Sequence, residues 1–400
     1  MNEGMRTTMT DNLGMKRPAF LLGGLALGFL LASPLRGSAQ DKDLDRIIFT
    51  DGRTVKATVL QDDYDKVVFA KVGRAKKEVP ASKVQRILYG GLPKPFLDGD
   101  KAEKAADQGA ENSQDLYENA ARSFELAANS AKRAPVKALG LYRAALCRMK
   151  LGLKNKTLLP TAIKAFQAFL EFAPKSRFSL QARLELARCH RLAGDLQGGL
   201  KVLDAFSKRI LDETLPVKWD ALVQIERIRT LLAGGKPRDA APLVDGAARS
   251  LAEIQPKTDE VRAYQVELKF LEGKTKIESK DYSGAQAYYQ ALLDKSPKDP
   301  DIRAAAYAGL GETCYARGMA KKSVKDLWEA YFHFGRAYVL DIRDREMGAR
   351  VLYYQGATLL ALGPLKAGRE SAATAKGYFN QVIKFFPMSD FAALAAEKLK

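Results

Sequence analysis

Two periods of apolar residues divide the chain. From Leu44 to Gly90 the apolar positions alternate with polar ones, which predicts strands. Arg46 to Thr50 runs into the turn pair Asp51 and Gly52, and Val55, Ala57 and Val59 alternate with Lys56 and Thr58. Lys66 to Ala70 makes a third strand and Lys77 to Val79 a fourth. A single helical turn at Ala81 to Val84 then leads to a last strand, Gln85 to Tyr89. Five short strands with that turn before the last predict a small SH3-like β-barrel over 40–90. From Ser113 onward apolar residues recur every three or four positions, with Gly or Pro breaks at intervals of roughly 15 to 20 residues, so 113–400 is expected to be helical hairpins. Between them, 91–112 carries Gly91, Pro93, Pro95 and a polar run, the composition of a linker. Ahead of the strands, Lys16 and Arg17 precede an apolar run from Ala19 to Ala32, then Ser33, Pro34 and the small residues Gly37 to Ala39. This is the pattern of a secretory signal peptide over 1–39, cleaved after Ala39. The chain is then expected to be exported to the periplasm or cell envelope, with no membrane span left after cleavage.

Within the helical part, Gly273 precedes a second helix that places small Ala285 and large Tyr289 on one face and is closed by Pro297. The next helix opens with Tyr307, Gly309, Leu310 and Gly311. These positions resemble the tetratricopeptide repeat, in which a small residue on the first helix lets the second approach and an aromatic fills the gap. Small second-helix residues recur at Ala162, Gly199, Ala240, Ala285, Ser323 and Ala375, spaced more widely than the family's roughly 34 residues. An additional helix, Leu116 to Ser130, precedes the first clear unit. The run from Tyr378 through Phe386, Pro387 and Ser389 is similar to units of bacterial envelope tetratricopeptide proteins. The resemblance implies a mainly α fold, an α-solenoid behind a small SH3-like barrel, whose inner groove receives protein or peptide partners. Ile48 to Phe69, through Asp51, Gly52, Arg53 and Asp65, also resembles the opening of the Sm-like family. Val68 stands where that family has an RNA-contacting asparagine, and Tyr89 with Gly90 where it has Arg-Gly, so the resemblance implies a fold and not RNA binding.

Charge and chemistry change this picture little. The net charge of +18 lies mostly in 113–400, where 47 basic residues face 32 acidic ones. It is spread thinly, which suits a solvated basic surface, with binding of nucleic acid or an anionic envelope polymer as the alternative. Cys147, Cys189 and Cys314 have no metal or redox spacing and are expected to be buried. His190 and His333 fall in different repeats and are expected in or near the core rather than as general bases. No phosphate loop, nucleophile elbow or metal cluster appears, so no cofactor and no enzyme activity are expected. When the repeats are registered on their second helices, Arg188, Arg229 and Lys274 fall at one place on three successive first helices. That would be a cationic ladder able to hold acidic side chains or a terminal carboxylate, the alternative being a solvated face.

Overall fold

The computed structural model describes residues 43–110, 112–340, 345–364 and 369–400, and the predicted signal peptide lies outside them. Five strands come first: β1 (Asp45–Phe49), β2 (Thr54–Asp62), β3 (Lys66–Ala70), β4 (Lys76–Pro80) and β5 (Val84–Leu88), with a 3-10 turn at Ala81–Lys83 before the last. They form one antiparallel sheet in the order β4-β3-β2-β1-β5. Alternation decides the face: Ile47, Phe49, Ala57, Val59, Val67, Phe69 and Val84 make one buried layer. Gly52 and Gly73, with φ of +83° and +69°, take the turn positions that a side chain would strain. The predicted barrel does not close, because β4 and β5 edge the sheet without pairing to each other. The cause is visible in β4, where Lys76, Lys77, Glu78 and Pro80 are exposed and only Val79 is half-buried, leaving almost no apolar face to fold inward.

Fifteen α-helices follow among the described residues. They are α1 (Lys94–Asp107), α2 (Ser113–Ser130), α3 (Ala134–Lys154), α4 (Leu159–Phe172), α5 (Ser179–Leu192), α6 (Leu196–Asp212), α7 (Val217–Ala233) and α8 (Pro237–Glu253), then α9 (Asp259–Glu278), α10 (Tyr282–Lys295), α11 (Pro300–Lys321), α12 (Val324–Val339), α13 (Arg345–Leu362), α14 (Arg369–Phe385) and α15 (Asp390–Lys398). The stretch read as a linker is therefore α1. Pro93 and Pro95 pre-set its first turn rather than stiffening a coil. Phe96 and Gly99 then pack on Phe124 of α2, and Glu103 is buried beside Lys150 and Arg143 of α3. Its polar residues hid a packed face because their charges are paired inside.

Sheet and helices are clamped together. The carboxylate of Asp45, fully buried, accepts from the Val59 and Gly90 amides at 2.7 and 2.8 Å and from Arg133 of the α2–α3 junction at 2.5 Å. Asp62 accepts from Tyr89 at 2.5 Å and from Arg177, and the backbones of Tyr64 and Lys175 are bonded at 3.0 Å.

Each helix packs on the next, and helices also contact their second neighbours α5 to α7, α7 to α9, α9 to α11 and α11 to α13. Small residues set the approach. Tyr289 of α10 lies in a notch between Gly273 of α9 and Gly309 of α11, where a Cβ at either glycine would meet its ring, and its hydroxyl donates to Phe270 O at 2.7 Å. Phe334 of α12 fills the corresponding space at Gly311, and Phe379 of α14 that at Gly356. Ala162, Gly199, Ala240, Ala285 and Ala375 are buried on their second helices. Ser323 is not. It caps α12, its hydroxyl accepting from Asp326 N at 3.2 Å, and Leu327 four residues on takes the buried place. The three cysteines are buried free thiols.

Candidate functional site

Arg188, Arg229 and Lys274 lie on α5, α7 and α9, on the face each of these helices turns towards its fellow first helices. Each is joined to a carboxylate of this same chain. Arg188 Nε donates to Asp390 Oδ1 at 2.7 Å, Arg229 Nε to Glu267 Oε1 at 2.9 Å, and Lys274 Nζ to Glu312 Oε2 at 2.6 Å. Other pairs fill the intervals. Arg191 reaches Glu226 at 2.7 Å and Asp390 at 2.8 Å, Arg229 also reaches Glu226 at 3.2 Å, and Arg350 reaches Glu312 at 2.8 Å. In helix order these contacts run α5 to α7, α7 to α9, α9 to α11 and α11 to α13. The guanidinium of Arg350 then stacks on Phe270 and on Phe391 of α15, and Asp390 of α15 returns to α5. The first helices are thus joined by polar contacts in a closed circuit. The last helix also meets the start of the array, through its packing on α3, the Lys156–Glu397 pair at 3.0 Å, and Met388 in the α3–α5 apolar cluster.

The electrostatics follow from burial with partners in place. Burial would raise the Asp390 carboxyl, but the guanidinium groups of Arg191, Arg188 and Arg229 outweigh it and hold the group well below the usual carboxylate range. Glu312, only 2% exposed, is likewise lowered against its burial by Lys274 and Arg350. Lys274 is raised by Glu312 in spite of desolvation. Glu346 goes the other way. Burial and the neighbouring Asp390 charge push it up to about 7, although Arg188, Arg229 and Arg350 oppose this. A buried carboxylate between two buried cations can hold helices together, and with its lone pairs committed it is not aimed at any cleft.

The acidic half of the circuit was missed in the sequence. Glu226, Glu267 and Glu312 stand on the buried side of their helices, and three of the pairs share one separation, 38 residues for Arg229–Glu267, Lys274–Glu312 and Arg350–Glu312. A buried acid recurring at the distance of one repeat from a cation is the signal that could have found them. The histidines stay apart. His190 Nδ1 lies 2.7 Å from Asp195 Oδ2 at the start of α6, while His333 stacks on Tyr307 and is lowered by burial and by Arg336. Among the described residues no group of His, Cys, Asp and Glu is placed to hold a metal ion, and no helix is long and apolar enough to cross a membrane. The chain matches no family model and no curated protein.

Proposed function

We propose that this chain is an exported, non-catalytic scaffold of a bacterial cell envelope, a solenoid of tetratricopeptide-like hairpins behind a small five-stranded antiparallel sheet, which binds protein partners on its helical surface. The observation that carries the reading is the recurring notch, in which an aromatic of a second helix sits against a first-helix glycine at Tyr289, Phe334 and Phe379. A hairpin built this way depends on its neighbours for burial, and stacks of such hairpins present long side-chain surfaces suited to peptides and partner helices. Engagement of the ionisable cluster in cohesion supports a binding role over a catalytic one. The Arg188, Arg229 and Lys274 ladder then serves the fold first, and an acidic partner would reach it by exchange with the chain's own carboxylates.

The test is affinity capture from envelope extract at low and moderate salt, with amide hydrogen exchange on whatever complex results. The expected result is one protein held at fixed stoichiometry in moderate salt, with protection gained in the helical region. Recovery only of nucleic acid or anionic polymer, shed as salt rises, would favour the polyanion reading, to which the exposed Lys76 and Lys77 of β4 are suited.

A further inference from the structure

Helix α12 has two apolar faces where its counterparts have one. Leu327, Ala330, Phe334 and Ala337 are buried against the neighbouring helices. On the opposite side Lys325, Trp328, Phe332, Arg336 and Val339 follow one another at three- and four-residue steps and are all exposed, Phe332 by 60% and Val339 by 82%. The positions five and nine residues after the cap, Trp328 and Phe332 here, are Gln286 and Gln290 in α10, Ala241 and Asp245 in α8, Leu200 and Asp204 in α6, and Ile163 and Gln167 in α4, with no aromatic at either place. The aromatic stripe therefore belongs to α12 and not to the repeat. Trp328, 39% exposed, also rests edge-on against Tyr331, whose hydroxyl meets that of Tyr378 on α14.

Its charge surroundings are one-sided. Lys321, Lys322, Lys325 and Arg336 are exposed and make no ion pair among the described residues, and Arg336 rests over Tyr307. The two carboxylates of the helix, Asp326 and Glu329, are turned to Arg317 at 2.8 and 3.5 Å. Trp328 and Phe332 lie together, ring centroids 6.1 Å apart, with cations before and after them. Aromatic rings flanked by long cationic side chains suit the boundary between headgroups and acyl chains. There the rings reach apolar depth and the lysine and arginine stems extend back to anionic phosphates.

We propose that the outer face of α12 docks this protein onto an anionic lipid surface, with Trp328 and Phe332 entering the interface and Lys325 and Arg336 meeting acidic headgroups. Lipid docking here is independent of protein binding elsewhere on the helices, and either can fail alone. Each cation brought to such a surface raises partitioning about fivefold, so zwitterionic bilayers are disfavoured by at least an order of magnitude.

Trp219 and Trp328 are the two tryptophans, and Trp219 packs on Phe206. The whole chain carrying W219F reports Trp328 emission on phosphatidylglycerol-containing vesicles and on phosphatidylcholine vesicles. The proposal expects a blue shift and quenching by acyl-brominated lipid on the anionic vesicles only, lost at moderate salt, with K325E/R336E lowering partitioning at least tenfold. Should W219F lose its fold, subtracting the W328F spectrum from that of the unmodified chain gives the same reading. Because the apolar run at 19–32 can enter bilayers by itself, quenching of Trp328 and not co-sedimentation decides the matter. An unquenched Trp328 overturns the proposal, as does equal quenching on both vesicle types. Burial of Trp328 in a dimer of the chain, seen by sedimentation without lipid, overturns it too.

Discussion

At the scale of single residues, the fold rests on positions where one atom more or one charge less has no room for adjustment. A methyl group at Gly309 would meet the Tyr289 ring, which is already held by its hydroxyl bond to Phe270 O and by Gly273 behind it. Gly309→Ala is expected to destabilise by about 1–3 kcal/mol through overpacking, read as a lower urea midpoint. Tyr289→Leu in the same chain should return part of the loss, since the ring is the obstacle. Glu312 has the opposite character. Glu312→Gln leaves Lys274 and Arg350 facing each other without their shared carboxylate, and the expected cost is about 3–5 kcal/mol. A loss below 1 kcal/mol in the same titration would mean that solvent already reaches the pair. Several of these residues could be read before the structure. Gly273, Ala285 and Tyr289 form a local pattern of size, and size survives in a sequence. Glu312 is legible only through the recurrence of one separation, because its role depends on Lys274 and Arg350, which lie 38 residues away on either side.

At the scale of elements, strands and helices followed their periods closely, while what joins them did not. Alternation located all five strands, and the recurring small residues located the second helices, although in α12 the buried place belongs to Leu327 and not to Ser323. Helix α1 was hidden for a physical reason. A helix whose buried face includes Glu103 shows no clean apolar stripe, since the charge is balanced by Lys150 and Arg143 from α3. The junction of α13 and α15 gives a pH dependence. Glu346 on α13 faces Asp390 on α15 together with Arg188 of α5, Arg229 of α7 and its helix neighbour Arg350, and its carboxyl is pushed up to about 7. A carboxyl raised on folding binds its proton more tightly in the native state. It therefore favours folding below its unfolded value near 4.5, and that contribution is lost as pH rises through about 7. Between pH 5 and 8 the melting temperature of the unmodified chain should fall relative to that of Glu346→Gln. Parallel profiles for the two proteins would show that Glu346 stays ionised throughout.

At the scale of the whole molecule, the sheet is fixed to the helices by Arg133–Asp45 and Arg177–Asp62, and the helical array is fixed to itself by Asp390. An open array of hairpins frays from its ends, each unit reporting only on its neighbours. Here Asp390 and Arg188 lie 202 residues apart in the chain and share a bond. Asp390→Ala should therefore raise amide exchange in α5 as well as in α15, by at least tenfold at the α5 amides next to Arg188. Exchange raised in α15 and α14 alone would show that the two ends fold independently. None of this closure was legible in the sequence, because periodicity carries the spacing of neighbours and holds no record of where a curved array meets its own beginning.

That meeting has a consequence for how such a chain can change over generations. Arrays of hairpins ordinarily grow and shrink by whole units, since a duplicated or lost unit leaves every other junction as it was. In this molecule one unit more or less would carry Asp390 past Arg188 and Arg191 and deprive both guanidinium groups of the carboxylate they share. Loops and outer faces, such as that of α12, carry no such constraint. A change in the number of hairpins between α5 and α15 would have to rebuild this contact and the packing of α15 on α3 together.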